Sequence, residues 1–156
     1  MKKVFAVLLT LALLMSLSIT ALAENTTGGE ADITTSIAPT YTVTIPADVN
    51  VQFNATETAF GTIEVVASQI HPDKCIKVSL ATDNKLENSI DATKIIPYAI
   101  KDNAGAAFTS ATYLTEGDKT VLSIHITADD WNAAYAGDYS DTVTFTVSYV
   151  DKAAND

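Results

Sequence analysis

The side chains that could act as nucleophiles, general bases or soft metal ligands are few and widely spaced. The chain has one cysteine, Cys75, and two histidines, His71 and His125. His71 and Cys75 lie on either side of Pro72, an arrangement that offers two metal ligands where a structural zinc site needs four. His125 falls on the polar side of an alternating segment, where solvation alone accounts for it. We therefore expect no catalytic residues and no enzymatic activity.

Acidic side chains surround a lone tryptophan and form a second candidate site. They are Asp129, Asp130, Asp138 and Asp141, on either side of Trp131. Their carboxylate oxygens are the ligands that calcium prefers. The Asp-x-Asp-x-Asp-Gly pattern of a calcium-binding loop, however, does not occur around them. The sequence therefore favours solvated or turn-capping acids, with no cofactor and no metal site, and calcium is the alternative.

The aromatic residues of the same stretch form a third candidate site. Trp131, Tyr135 and Tyr139 follow one another closely, and aromatic rings can stack on the apolar faces of sugars. This set would make the protein a carbohydrate-binding module. The alternative is that Trp131 and Tyr139 cover the end of a hydrophobic core. Gly137 allows a sharp bend, and the Tyr139 hydroxyl is then expected to bond to nearby backbone.

The elements that must hold these residues are predicted to be β-strands. After the corner, apolar residues occupy every second position, at Val143, Phe145, Val147 and Tyr149, with threonine or serine between them. A period of two with β-branched and aromatic residues is typical of a strand with one face on a core. Further strands are predicted at residues 41–45, 49–53, 61–67, 75–80, 94–100 and 120–126, with weaker candidates at 33–37 and 112–114.

These strands define the fold class. Leu122, Ile124 and Ile126 are expected on the core face of the segment 120–126, and Pro97 indicates an edge or a bulge in the segment 94–100. Residues 83–89 are polar and are predicted to form a loop. Helical periodicity does not extend beyond one or two turns anywhere after residue 23. Seven to eight short strands separated by turn residues indicate an all-β, immunoglobulin-like antiparallel β-sandwich.

The N-terminal residues have the composition of a secretory leader. Met1-Lys2-Lys3 precedes an apolar run, which ends in Ala21-Leu22-Ala23 with small residues at the cleavage positions. We predict a signal peptide over residues 1–23, a flexible lead-in over 24–32, the sandwich over 33–151 and a polar tail over 152–156. The protein is therefore expected to be secreted, in the extracellular space or on the cell surface, without stable membrane insertion after cleavage.

The charge of the chain excludes one class of partner. The formal net charge is −10, and it falls to −12 after cleavage because the leader carries Lys2 and Lys3 and no acid. Nucleic acids and anionic membranes are bound through clustered lysine and arginine. We therefore expect no nucleic-acid partner. With Cys75 alone no intrachain disulfide can form, so stability must come from burial and strand pairing.

Two stretches of the chain resemble known proteins. Residues 41–46, Tyr-Thr-Val-Thr-Ile-Pro, and 136–147, Ala-Gly-Asp-Tyr-Ser-Asp-Thr-Val-Thr-Phe-Thr-Val, are similar to small secreted immunoglobulin-like β-sandwich proteins of Gram-positive bacteria. More loosely, the corner and the last strand resemble the C-terminal strand of fimbrial and spore-coat-type pilin subunits. The resemblance implies a structural or adhesive role at the cell surface, with copies of itself or other surface proteins as partners. A sorting motif is not part of the resemblance, so covalent attachment to the cell wall is not expected.

The resemblance also leads to a hypothesis of assembly. If Tyr139 marks the corner before the second-to-last strand of an immunoglobulin-like domain, the sandwich lacks a strand and one sheet edge stays open. Residues 31–37 of a neighbouring copy are then the candidate donor strand, with Ile33 and Ile37 filling the groove. The alternative is that residues 31–37 close their own sandwich as an ordinary first strand.

Overall fold

A computed structural model describes residues 30–153 of the chain. The predicted leader, most of the lead-in and the last residues of the polar tail therefore lie outside the described residues. By its internal contacts the chain divides into two units, Met1–Ser36 and Ile37–Asp156, and every strand described here belongs to the second. Its elements are β1 (Thr40–Thr44), β2 (Glu57–Gln69), β3 (Lys74–Ala81), β4 (Lys85–Asn88), β5 (Ile95–Pro97), β6 (Ala99–Asp102), β7 (Ser110–Tyr113), β8 (Lys119–His125), α1 (Ala128–Ala133), β9 (Tyr139–Ser140) and β10 (Thr144–Asp151).

The strands form three antiparallel sheets, and the predicted all-β sandwich is confirmed. The first sheet has the order β1-β2-β8-β6, the second β10-β3-β7, and the third, smaller sheet β5-β4-β9. The core residues alternate along the central strands, as period-two segments require. The fully buried side chains are Ile63, Val65, Cys75, Ile76, Val78, Ile96, Leu122 and Ile126.

The centre of the first sheet follows the predicted alternation. Leu122, Ile124 and Ile126 are all buried, which confirms the core face expected for this segment. On the neighbouring strand the register shifts between Ala59 and Gly61, so β2 carries a bulge there. Gly61 has a φ of +140°, and Pro46 packs so close to it that an added Cβ would lie 3.1 Å from the proline ring. A glycine is therefore needed where the connection after β1 crosses β2.

Strand assignments near the third sheet differ from the sequence prediction. The predicted polar loop 83–89 contains β4, because Leu86 and Asn88 point inward and an inward asparagine hides the alternation. The predicted strand 94–100 is two strands, β5 and β6, which separate at Tyr98, consistent with the effect of Pro97 on strand pairing. With the short strand β9, these differences raise the number of strands to ten among the described residues.

Two predicted strands near the N-terminus do not form. Residues 49–53 run as an irregular connection between β1 and β2, and Phe53 is 75% exposed. Their alternation is real in sequence, but no neighbouring strand pairs with them in residues 30–153. Residues 33–37 also have no strand structure, and Ile33 is 99% exposed and Ile37 67% exposed. A first strand formed by residues 31–37 within their own chain is therefore not observed.

The last strand lies at the edge of its sheet. β10 pairs with β3 on one side and with no strand on its other side within the described residues. Val147 is paired with Val78, which is fully buried, so Val147 lies on the core face of the sheet. It is nevertheless 38% exposed. The alternation of β10 is therefore correct as predicted, but the core it faces is open along this edge.

None of the helices in residues 30–153 has the length and apolarity needed to cross a bilayer.

Candidate functional site

The corner predicted from Trp131, Tyr135 and Tyr139 forms one wall of a large open groove of about 1010 Å³. All three predicted aromatic residues line it, so the structure brings them together. A fourth ring, Phe53, comes from the connection before β2 and was not predicted from the sequence. We call this site the aromatic groove; its lining also includes Val49, Asn50, Val51, Leu86, Ile96, Asn132, Ala134, Ala136, Gly137, Asp138, Ser140 and Asp141.

Trp131 is a fixed wall of the aromatic groove. It lies in α1, a short helix whose N-cap Thr127 accepts a hydrogen bond from the backbone N–H of Asp130 at 3.1 Å. Trp131 is 9% exposed, and its indole N–H donates to the Ala55 carbonyl at 2.9 Å. Its ring centroid is 5.6 Å from that of Phe53, with an angle of 80° between the rings. Trp131 therefore holds Phe53 in place and is itself mostly covered.

The two tyrosines are joined through the backbone. The Tyr139 hydroxyl donates to the Tyr135 carbonyl at 3.0 Å and accepts from the Tyr135 N–H at 3.1 Å. The predicted bond between this hydroxyl and nearby backbone is thus confirmed. Tyr135 is 63% exposed, and Lys94 Nζ lies 4.7 Å from its ring centroid. The ammonium group occupies one face of this ring through a cation–π contact.

A close approach fixes the corner against β4. An added Cβ at Gly137 would lie 2.5 Å from Asn88 Nδ2, and the φ of Gly137 is +143°. Asn88 is the buried polar residue of the core, and its Oδ1 accepts from the backbone N–H groups of Ile90 and Asp91 at 2.9 and 3.2 Å. Only glycine fits here, because both the space and the backbone conformation exclude a side chain.

Asp141 connects the corner to β5 and β6. The Tyr98 hydroxyl donates to Asp141 Oδ2 at 2.5 Å, and the Thr82 hydroxyl donates to the same oxygen at 3.1 Å. Burial of Tyr98, together with its bond to the carboxylate, raises the pKa of the phenol far above its ordinary value. The hydroxyl therefore stays protonated at any physiological pH and keeps donating to Asp141.

A second cavity lies between the first and second sheets beside β10, and we call it the edge cavity. Its volume is about 510 Å³. Phe60 and Phe145 meet across it from opposite sheets, with ring centroids 5.9 Å apart. At the other end of the same seam, Tyr41 and Tyr149 close the gap at 5.8 Å. The remaining lining is Ile45, Pro46, Ala47, Asp48, Val49, Val51, Leu86, Tyr98, Ile100, Ile124, Asp141, Thr142, Val143 and Thr144.

The candidate metal ligands and acids are not gathered into a metal site within residues 30–153. Residues 30–153 contain no group of three or more histidine, cysteine, aspartate or glutamate side chains arranged to hold a metal. His71 lies in an exposed turn, whereas Cys75 is buried in β3 and donates to the Asp151 carbonyl. Of the acids around Trp131, Asp130 accepts from the Thr127 hydroxyl at the start of α1, and Asp141 accepts from Tyr98. Asp130 and Asp141 therefore have capping and structural contacts.

One serine–histidine pair was not predicted. His125 Nε2 lies 2.9 Å from Ser123 Oγ and 3.9 Å from Glu57 Oε1. In a catalytic triad the carboxylate bonds to the ring nitrogen opposite the serine and fixes the tautomer. Here serine and glutamate share the same nitrogen of a half-exposed ring. This arrangement does not have the geometry of an activated nucleophile.

No protein-family model matches this sequence, and no relative is found among curated proteins. Function must therefore be inferred from the aromatic groove, the edge cavity and the strand edge beside it.

Proposed function

We propose that this protein is a secreted, non-enzymatic structural subunit that assembles into fibres by strand addition at the outer edge of β10. The observation that carries the proposal is the unpaired edge of β10 beside the open edge cavity. A free edge offers backbone donors and acceptors to an incoming strand, and an adjoining apolar cavity offers space for its side chains.

The acceptor edge has the length that strand addition needs. β10 extends over eight residues, Thr144–Asp151, or about 27 Å at the usual rise for an antiparallel strand. Val147 projects from its core face and is 38% exposed, so the sandwich is not sealed along this strand. A strand added here would cover Val147 and extend the sheet by one strand. The burial of this apolar surface would stabilise the assembled state.

The donor segment has complementary properties. Ile33 and Ile37 are both exposed and lie in a stretch without strand structure. In an extended strand these residues point to the same face, about 14 Å apart. Thr35 lies between them on that face, and the β-branched composition favours a strand once a partner edge is present. Transfer of Ile33 and Ile37 from water into the edge cavity of the next copy would drive head-to-tail growth.

The location outside the cell rests on the leader predicted for residues 1–23. A structural role rather than catalysis is supported by the contacts of the candidate reactive groups. Cys75 is buried beside the end of β10, and in the part of the chain that the structure describes His125 bonds to Ser123 without an orienting acid on its second nitrogen. A fibre of such subunits that also carried a ligand-binding face would have an adhesive role at the cell surface.

The test compares fibre growth of residues 24–156 with that of two variants. We expect Ile33→Ser and Ile37→Ser each to slow assembly strongly, because each removes a cavity-filling side chain. Ile90→Ser is the matched control, since Ile90 is 90% exposed but lies outside the donor segment. Electron microscopy and sedimentation give the polymer fraction. Unchanged assembly of both donor variants, or a strictly monomeric parent chain at high concentration, contradicts the proposal.

A synthetic peptide of residues 31–37 provides a second test. A chain lacking residues 24–38 retains all ten described strands, so we expect it to fold as a monomer without forming fibres. The peptide should raise its melting temperature in a concentration-dependent way, as any ligand of the native state does. A peptide with serine at both isoleucine positions is the control. Equal effects of the two peptides would show that the isoleucines do not fill the cavity.

A further inference from the structure

The aromatic groove leaves an apolar ring largely exposed. Phe53 is 75% exposed on an irregular connection, although its ring packs on Trp131. Tyr135, on the opposite segment of the lining, is 63% exposed. Exposed aromatic rings that line one concave surface are typical of a ligand site rather than of an ordinary surface.

Contacts within the protein restrict both aromatic residues before any ligand arrives. Phe53 packs nearly perpendicular to Trp131, and the Ala55 carbonyl fixes Trp131 through its indole N–H. The backbone of Tyr135 is bonded in both directions by the Tyr139 hydroxyl. A rigid site loses little conformational entropy on binding, so its stacking contacts contribute more of their energy to affinity.

Polar groups with free hydrogen-bonding capacity lie beside the rings. Asn50 and Asn132 line the groove, and within residues 30–153 their side-chain amides make no hydrogen bond. A side-chain amide both donates and accepts, which matches the paired roles of a sugar hydroxyl. The groove volume of about 1010 Å³ lies at the upper end of the range for small-molecule sites, which suits several linked rings.

Charge decides the class of ligand. The carboxylates in the groove lining are Asp138 and Asp141, and the ammonium group of Lys94 is engaged on the Tyr135 ring. An anionic ligand would meet repulsion from the lining and from a mature chain that is strongly acidic overall. An uncharged ligand with apolar faces and many hydroxyls avoids this cost.

We propose that the aromatic groove binds an uncharged oligosaccharide, with Phe53 and Tyr135 as the stacking rings and the amides of Asn50 and Asn132 as hydrogen-bonding partners. This assignment does not depend on fibre assembly. It differs from the sequence prediction in the role of Trp131, which supports Phe53 and contributes little exposed surface of its own. Tyr139 has a corresponding supporting role beneath Tyr135.

The test is calorimetric titration of residues 24–156 with cellohexaose, chitohexaose and mannohexaose, and with polygalacturonate as the anionic comparison. We expect at least one uncharged oligosaccharide to bind and polygalacturonate not to bind. Phe53→Ala and Tyr135→Ala should each weaken binding about tenfold, as expected for the loss of one stacked ring. Phe53→Trp should retain binding, because it keeps an aromatic face at this position.

Val121→Ala is the matched control, since Val121 is 46% exposed on β8 and is not part of the groove lining. It should bind as the parent does, and circular dichroism should show all variants folded. The proposal would be overturned if none of the three uncharged oligosaccharides bound at about 1 mM, a concentration that detects weak sites. Binding by Phe53→Ala and Tyr135→Ala as tight as that of the parent, or binding of polygalacturonate alone, would also overturn it. Fibre growth of Phe53→Ala should remain normal, which separates this site from the assembly edge.

Discussion

Asn88 and Gly137 show which kinds of residue the sequence pattern can and cannot place. The glycine bend and the Tyr139 hydroxyl bond follow from local rules, and both are present. The partner of Gly137 is Asn88, a buried amide whose side chain satisfies two backbone N–H groups. These two hydrogen bonds are local, but the burial of Asn88 involves the contact with Gly137, which is distant in the chain, so the polar segment 83–89 was expected to be a loop. Phe53 was missed for a related reason, because the alternation at Val49 and Val51 predicted a strand that finds no partner.

Asp118 closes the turn before β8 and makes stability depend on pH. Its carboxylate accepts from the backbone N–H groups of Leu114 and Thr115 at 2.7 and 2.9 Å. These bonds favour the charged form and hold the pKa of Asp118 below its ordinary value. The unfolded chain therefore binds the proton more readily. The contribution to stability is fully present above the ordinary value and is lost as pH falls through the folded pKa.

We therefore expect Asp118→Asn to lower the free energy of unfolding by about 1 kcal/mol at pH 7. The difference from the parent should shrink in the acid range below pH about 4, where the parent carboxyl becomes protonated. Urea titrations of the parent and of Asp118→Asn, at pH 7 and below pH about 4, measure the difference in free energy of unfolding at each pH. Asp48→Asn, at an exposed position without a side-chain hydrogen bond in residues 30–153, is the control. An Asp118→Asn deficit that stays constant down to strong acid would contradict this assignment.

At the scale of elements, period-two patterns identified most strands but could not order them. The central strands β2, β3 and β8 were predicted because their buried residues are consistently apolar and alternate. The position of β10 at a sheet edge could not be predicted from the sequence, because its alternation is as regular as that of a strand with neighbours on both sides. Strand order depends on pairing between segments that are distant in sequence, and local composition carries little information about it.

A charged side chain on β10 tests the edge as an element. We expect Val147→Lys to leave the monomer folded, because the position is already 38% exposed and a lysine stem can reach water from it. The same charge should abolish fibre growth, as inward-pointing lysines block strand pairing at natural edges. Val147→Thr keeps the β-branched shape without a charge, and it should assemble at a rate close to that of the parent. Normal fibres from Val147→Lys would show that assembly uses a different edge.

At the scale of the whole molecule, charge should oppose the proposed assembly. Residues 24–156 carry a formal net charge of −12 by sequence, because residues 1–23 contain Lys2 and Lys3 and no acid, so approaching copies of this chain would repel one another. Salt shortens the range of this repulsion, with the Debye length falling from about 30 Å at 0.01 M to about 3 Å at 1 M. We expect fibre growth of residues 24–156 to accelerate across this range. Seeded growth curves followed by light scattering provide the measurement, and slower growth in salt would indicate that opposite charges attract at the contact.

The fold class could be predicted from the sequence, whereas the candidate sites could be predicted only in part. Strand periodicity and turn residues indicate a sandwich, and the single cysteine excludes an intrachain disulfide. The aromatic groove combines the corner with a connection from before β2. The edge cavity combines side chains from strands of different sheets with the connection after β1. Both sites consist of surface that packing leaves exposed, whereas sequence patterns mainly predict which residues packing buries.

Cys75 gives the molecule a built-in chemical reporter. Its thiol is 1% exposed, and it donates to the Asp151 carbonyl at the end of β10. A reagent reaches so buried a sulfur when the surrounding structure opens, and the contact with Asp151 makes separation of the end of β10 from β3 one such opening. The rate of thiol labelling should therefore report how often the end of the last strand opens, and the measurement needs no engineered probe. The strand addition proposed at β10 should slow this labelling, because a strand paired on both edges separates less often.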